Sequence, residues 1–100
     1  MDEVERQRKK LMFQCHHRGT KELDLVLGPF ADAHLAELSA DELQALAAFL
    51  TEIDPDIYDW LSGREPLPPR LQSPVTELLV AFGRRRLSGE GAFRVRAPDA

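Results

Sequence analysis

Between His17 and Leu35 the chain reads HRGTKELDLVLGPFADAHL, a polar turn that runs into an apolar segment broken only by Gly28-Pro29. Leu23, Val26, Leu27, Phe30 and Leu35 recur there at steps of three and four residues, with Ala31 beside them. That period belongs to one face of a helix and not to a strand. Gly19 stands where a preceding helix would stop, a position at which a left-handed backbone costs glycine nothing, and Thr20 can cap the next helix. Glu22 falls in the first turn of that helix, where the dipole and the free amides favour a negative charge. Arg18, Gly19 and Glu22 therefore form a small feature of opposite charges held by two helix ends. Pro29 removes a backbone donor inside the segment, so a kink or break is expected around Leu27 to Pro29, eased by Gly28.

The same punctuation recurs along the chain. Val4, Leu11, Met12 and Cys15 share a face at helical spacing, with Arg6, Arg8, Lys9 and Lys10 mostly elsewhere, so a first helix is predicted over residues 4–17. Phe13 projects nearly opposite that stripe, close to the Arg18-Gly19 turn. Ser39-Ala40-Asp41-Glu42 is a capping-box sequence, and Leu43, Leu46, Ala47, Leu50 and Ile53 give the third helix its stripe. Asp54-Pro55 opens a short fourth helix through about Ser62, with Ile57, Tyr58, Trp60 and Leu61, and Gly63 ends it. Residues 64–72, REPLPPRLQ, read as an extended connector. Ser73-Pro74 starts the fifth helix, where Val75, Leu78, Leu79 and Phe82 keep the spacing and Gly83 to Arg86 mark a basic end. No strand pattern of useful length and no internal repeat occurs elsewhere. The fold class is all-α, a compact bundle of about five short helices over residues 1–87, followed by a flexible tail over 88–100. In that tail Phe93-Arg94-Val95-Arg96 alternates and could pair as a strand in some contact.

A chain of 100 residues, 43% apolar and 30% charged, supports one domain with a single core, and no apolar run approaches the ~20 residues of a spanning helix. The acidic start Met1-Asp2-Glu3 resembles neither a secretory signal nor an organelle presequence, and the lone Cys15 cannot form an internal disulfide. Both observations point to a cytoplasmic protein, from a bacterium or already processed. Residues 22–63 hold ten acids and no Lys or Arg, while six bases precede them and seven come after. Most of that charge is solvation and attraction between ends and middle. Near Arg18 and Glu22 it can also steer a partner.

The ordered set Arg18-Gly19-x-x-Glu22, Leu23-Asp24, Gly28-Pro29-Phe30, Leu38-Ser39 and Asp54-Pro55-Asp56 with Tyr58 and Trp60 covers roughly residues 4 to 86. In this order and spacing it resembles the succinate dehydrogenase FAD assembly factor family. The resemblance implies a small helical protein that binds the flavoprotein subunit of succinate dehydrogenase or fumarate reductase. It also implies that binding promotes covalent attachment of FAD to a histidine of that subunit. Carried onto this chain, the partner-binding residues are Arg18, Gly19 and Glu22, with Phe13, His17 and Asp24 around them. Arg18 is expected to offer its planar fork to a client carboxylate or carbonyl, Glu22 to accept from a client donor, and Gly19 to let two backbones come close. FAD would belong to the client, the chain would hold no cofactor of its own, and it is expected to be a monomer when free.

Read from the residues alone, catalysis finds little support. Cys15, His16 and His17 are consecutive, and on a helix they diverge by about 100° per residue, which prevents convergence on one metal ion. No glycine-rich phosphate loop, nucleophile elbow, dinucleotide fingerprint or spaced Cys/His cluster is present. Arg84-Arg85-Arg86 is the one feature that attracts nucleic acid, set against an acidic middle and a pI near 5.3. A generic acidic helical adaptor, binding proteins without any role in flavinylation, accounts for the physical pattern as well as the assembly factor does.

Overall fold

Helices begin after Asp2, Ser39 and Ser73, where a side-chain oxygen accepts from a first-turn amide. The computed structural model of the chain describes residues 2–88. Helix α1 spans Glu3–His16, and the Asp2 carboxylate accepts from the Glu5 amide at 2.8 Å. Helix α2 spans Lys21–His34 and is followed by a 3-10 turn, Leu35–Glu37. Helix α3, Ala40–Phe49, starts with a complete capping box: the Glu42 amide donates to Ser39 Oγ and the Ser39 amide to Glu42 Oε1. Helix α4 covers Asp54–Ser62 and stops at Gly63, whose φ of 87° is the left-handed stop expected there. A 3-10 turn, Pro69–Leu71, interrupts the connector before helix α5, Pro74–Ser88. No strand occurs among the described residues, and Phe93 to Arg96 lie outside them.

The five helices share one core. Phe30, Phe49, Leu23, Leu43, Ile57 and Leu79 are fully buried in it, and Trp60 closes against Phe49 with ring centroids 5.7 Å apart. Helix α1 packs on α2 and α3, while α5 packs on α2, α3 and α4. At the α4–α5 contact the absent side chain of Gly83 matters, because a Cβ there would sit 2.9 Å from Leu61 Cβ. Gly83 is thus a packing position inside α5, and the helix runs past it to Ser88 instead of ending near it.

Several sequence expectations shift for physical reasons. Pro29 leaves α2 unbroken, because the Leu25 carbonyl that lost its i+4 donor accepts from Arg86 Nε at 3.1 Å. Thr20 occupies the cap position of α2 but makes no side-chain bond to it, and its hydroxyl is buried without a partner. Ile53, assigned to the α3 stripe, is instead 63% exposed, since α3 ends at Phe49 and Ile53 is the capping residue of α4. Leu78 faces solvent, and Thr76 and Val80 take the buried face of α5. There the Thr76 hydroxyl donates to the Leu71 carbonyl at 2.6 Å, so a polar residue is buried with its bond made. Arg8 also turns inward, donating to the Leu35 and Leu38 carbonyls at 2.7 and 3.0 Å and tying α1 to the turn after α2.

The Ser39 cap gives a direct check on this architecture. Ser39→Ala is expected to lower stability by about 1 kcal/mol through loss of the bond to the Glu42 amide. Equilibrium urea unfolding reads it, and an unchanged midpoint would mean that the box contributes nothing.

Candidate functional site

The turn between α1 and α2 is built by its own backbone. Helix α1 ends at His16, the His17 amide donates to the Gln14 carbonyl at 3.3 Å, and Gly19 then takes φ 102°. Only glycine adopts that conformation without strain. A Cβ on Gly19 would meet nothing within 4 Å, so the space above this residue is open. From the other side the Arg18 amide donates to Asp24 Oδ1 at 3.2 Å, which fastens the turn to the first turn of α2. Asp24 is therefore occupied inside the molecule.

Arg18 is the largest departure from expectation. Its side chain is only 16% exposed and points into the molecule, across to the junction of α3 and α4. Nε donates to Asp54 Oδ1 at 2.7 Å, one terminal nitrogen to the Leu50 carbonyl at 2.6 Å, and the other to the Glu52 carbonyl at 2.7 Å. The end of α3 leaves carbonyls without helical donors and carries the negative end of its dipole, so a cation belongs there. The fork assigned to a client is thus filled by this chain's own groups. On the far side of the same elbow Glu52 receives both terminal nitrogens of Arg70, at 2.8 and 3.0 Å. Hydrogen bonds from the Arg70 fork, with its charge, hold the Glu52 carboxyl below the usual carboxylate range.

What remains outward is Glu22, Gly19, Phe13 and His17. Glu22 is exposed in the first turn of α2 and makes no hydrogen bond or ion pair among the described residues. Phe13 is 63% exposed and lies flat on His17, centroids 4.1 Å apart and planes 16° apart. His17 Nδ1 donates to the Phe13 carbonyl at 2.9 Å, which sets the imidazole in place under the ring. These two side chains, with Arg18, Thr51 and Asp54, line one end of an open groove of about 960 Å³ between α1 and α3.

The three consecutive candidate ligands separate as helical geometry requires. Cys15 is buried in the core, His16 bonds Asp32 at 2.9 Å with its ring against Gly28, and His17 faces the groove. Among the described residues no group of three or more His, Cys, Asp or Glu could hold a metal ion. Burial pushes the Cys15 thiol up to about 11, against a smaller opposing effect of the Arg18 charge, so at neutral pH it carries no thiolate for nucleophilic work. Sequence reasoning missed Asp54 as the partner of Arg18 and missed the Leu50 and Glu52 carbonyls. No local signal joins positions so far apart in the chain.

Residues 9–83 match the family described as "Flavinator of succinate dehydrogenase". The FAD assembly factor SdhE of Acetobacter pasteurianus is 36% identical over 88 residues, covering 88% of this chain and 81% of that protein. Proteins named succinate dehydrogenase assembly factor 2, mitochondrial, are 34% identical over 79% of the chain in Dictyostelium discoideum and 36% identical over 69% of it in Candida glabrata. The matched regions cover only 56% and 47% of those two proteins, so the chain spans about half the length of these mitochondrial relatives. No solved structure matches the chain.

Two measurements check this geometry. Arg18→Ala is expected to cost about 2–3 kcal/mol, because two carbonyls and a carboxylate lose a charged donor in a partly shielded site, and Arg18→Lys should recover only part of it. A loss in urea unfolding no greater than that of Arg6→Ala, an exposed arginine, would show that the fork does not hold the elbow. Cys15 is expected to stay unreactive toward a thiol reagent at pH 8 in the folded protein and to react fully in urea, since burial and the raised pKa both suppress the thiolate.

Proposed function

Because this chain belongs to the succinate dehydrogenase flavinator family, we propose that it is an assembly factor for a flavoprotein. In this reading it binds the flavoprotein subunit of succinate dehydrogenase or fumarate reductase and promotes covalent attachment of FAD to that subunit. The observation that carries the reading is the outward face of the α1–α2 turn. Glu22, without a bond among the described residues, the open backbone at Gly19 and the exposed Phe13 of the last turn of α1 lie on and beside that turn. Such a face suits protein recognition: a carboxylate for a client donor, bare backbone for close approach, and an aromatic anchor.

The chain acts as a binding partner in this proposal and not as an enzyme. The chemistry of attachment would belong to the client's own FAD and histidine. This chain's residues contribute by binding more tightly to the client conformation in which the reacting groups are aligned. Glu22 accepts from the client, Gly19 admits its backbone, and Phe13 on His17 fills an apolar depression. Arg18 and Asp24 hold that face in shape from behind. A single buried thiol and the absence, among the described residues, of a helix able to cross a membrane fit action in a reducing aqueous compartment such as the bacterial cytoplasm.

Co-expression of the flavoprotein subunit with this chain, followed by denaturing electrophoresis and in-gel flavin fluorescence, tests the proposal. A strong fluorescent client band is expected with the wild type and a weak one with Glu22→Ala, since an unpaired client donor buried at the contact costs roughly 2 to 5 kcal/mol. Circular dichroism of Glu22→Ala should match the wild type. Equal bands with wild type, with Glu22→Ala and with no assembly factor at all would refute the function.

A further inference from the structure

Four large apolar side chains are exposed among the described residues, and two of them flank the Arg18 fork. Phe13 stands on α1 along the groove that Arg18, Thr51 and Asp54 also line. Ile53 sits between Glu52 and Asp54, whose carbonyl and carboxylate the fork holds, and is as exposed as Phe13, at 63%. Ile53 does not line the groove itself but borders it through Thr51 and Asp54, which do, whereas Leu25 on α2 and Leu78 on α5 have no such neighbours on it.

The elbow that carries Ile53 is held unusually well for a connection of four residues. Arg18 takes the Leu50 and Glu52 carbonyls and the Asp54 carboxylate, Arg70 takes Glu52, and the Thr51 hydroxyl donates to the Ala48 carbonyl at 2.6 Å. An apolar side chain on backbone already ordered in the free protein loses little further freedom on binding, which is what makes an effective interface anchor. Charge around the groove is also placed with a sense. Lys10, exposed on its α1 wall, makes no ion pair among the described residues, and Glu22 is unpaired beyond the Arg18 turn.

We infer that the elbow Leu50–Asp54 is a second half of the client-binding surface, with Ile53 and Phe13 seated in separate apolar sockets of the flavoprotein and Arg18 setting their separation. The inference rests on the assembly-factor reading and names the partner surface it requires. That surface is a segment with apolar depressions, carrying a carboxylate opposite Lys10 and a hydrogen-bond donor opposite Glu22. Arg18 is a positioning residue here, touching the client on neither side of the groove and acting through the elbow it holds.

Titration calorimetry with the purified flavoprotein subunit tests this on the full chain. Ile53→Asp and Phe13→Ala are each expected to weaken binding about tenfold or more with no fall in the urea midpoint, since an Asp at position 53 falls on the cap of α4 where a carboxylate is favoured, while Leu78→Asp, equally polar but off this face, leaves affinity as it was. In an Arg18→Lys background the effect of Ile53→Asp should shrink, because the anchor is no longer held in register, whereas two independent contributions would simply add. Wild-type affinity for Ile53→Asp together with weakened binding by Glu22→Ala would overturn the second anchor and leave the assembly-factor reading standing. No binding of the wild type to the flavoprotein would overturn both. A wild-type dimer in sedimentation that Ile53→Asp dissociates would give this face to a second copy of the chain and equally overturn the inference.

Discussion

Arg18 joins three parts of the chain that its sequence keeps apart. Its amide is fastened to Asp24 at the start of α2, and its guanidinium holds the end of α3 and the start of α4 through Leu50, Glu52 and Asp54. The acceptors surround a planar cation at 2.6–2.7 Å, a geometry that three divergent donors on a rigid fork can meet and a single ammonium cannot. Because the site is mostly shielded from water, these bonds are stronger than surface pairs such as Arg6–Glu3. They set the position of the α1–α2 turn relative to α3 and α4.

A similar solution recurs at two other places where a helix end or a proline leaves carbonyls without donors. Arg8 reaches the Leu35 and Leu38 carbonyls at the turn after α2, and Arg86 reaches the Leu25 carbonyl that Pro29 deprived of its partner. All three arginines come from α1, the turn after it or α5, and the carbonyls they hold all lie within residues 22–63, the stretch that has no base of its own. The division of charge along the chain is therefore partly structural: basic ends supply donors to the acidic, carbonyl-rich ends of the middle helices. That use of charge is short-range and specific.

The proposed client face divides into an outer and an inner layer. Glu22, Gly19, Phe13 and His17 are open to a partner, while Arg18 and Asp24 act from within. This distinction changes what a loss of function at Arg18 means, since the same substitution disturbs the fold and the surface together. A change at Glu22 touches the surface alone, which makes it the cleaner probe of recognition. The stacking of Phe13 on His17 serves the same economy, keeping an exposed ring in one orientation before a partner arrives.

Local chemistry in the sequence determined most of the helices. The capping box at Ser39, the left-handed residues Gly19 and Gly63, the proline starts at Pro55 and Pro74 and the three- and four-residue apolar steps each act within a few residues, so they can be read without knowing the fold. The same local signals marked Gly19 and Glu22 as a surface feature between two helix ends. Tertiary structure decided which way the charged side chains point. Ile53 and Leu78 had the spacing of core residues and went to solvent, because a helix end and a neighbour's position, not periodicity, determine which face is covered. Thr76 and Gly83 took buried places through a bond to Leu71 and a close approach to Leu61. The inward turn of Arg18 was beyond any local pattern, because its acceptors are carbonyls and a carboxylate 32 to 36 residues away, and backbone carbonyls carry no residue-type signature that a sequence could show.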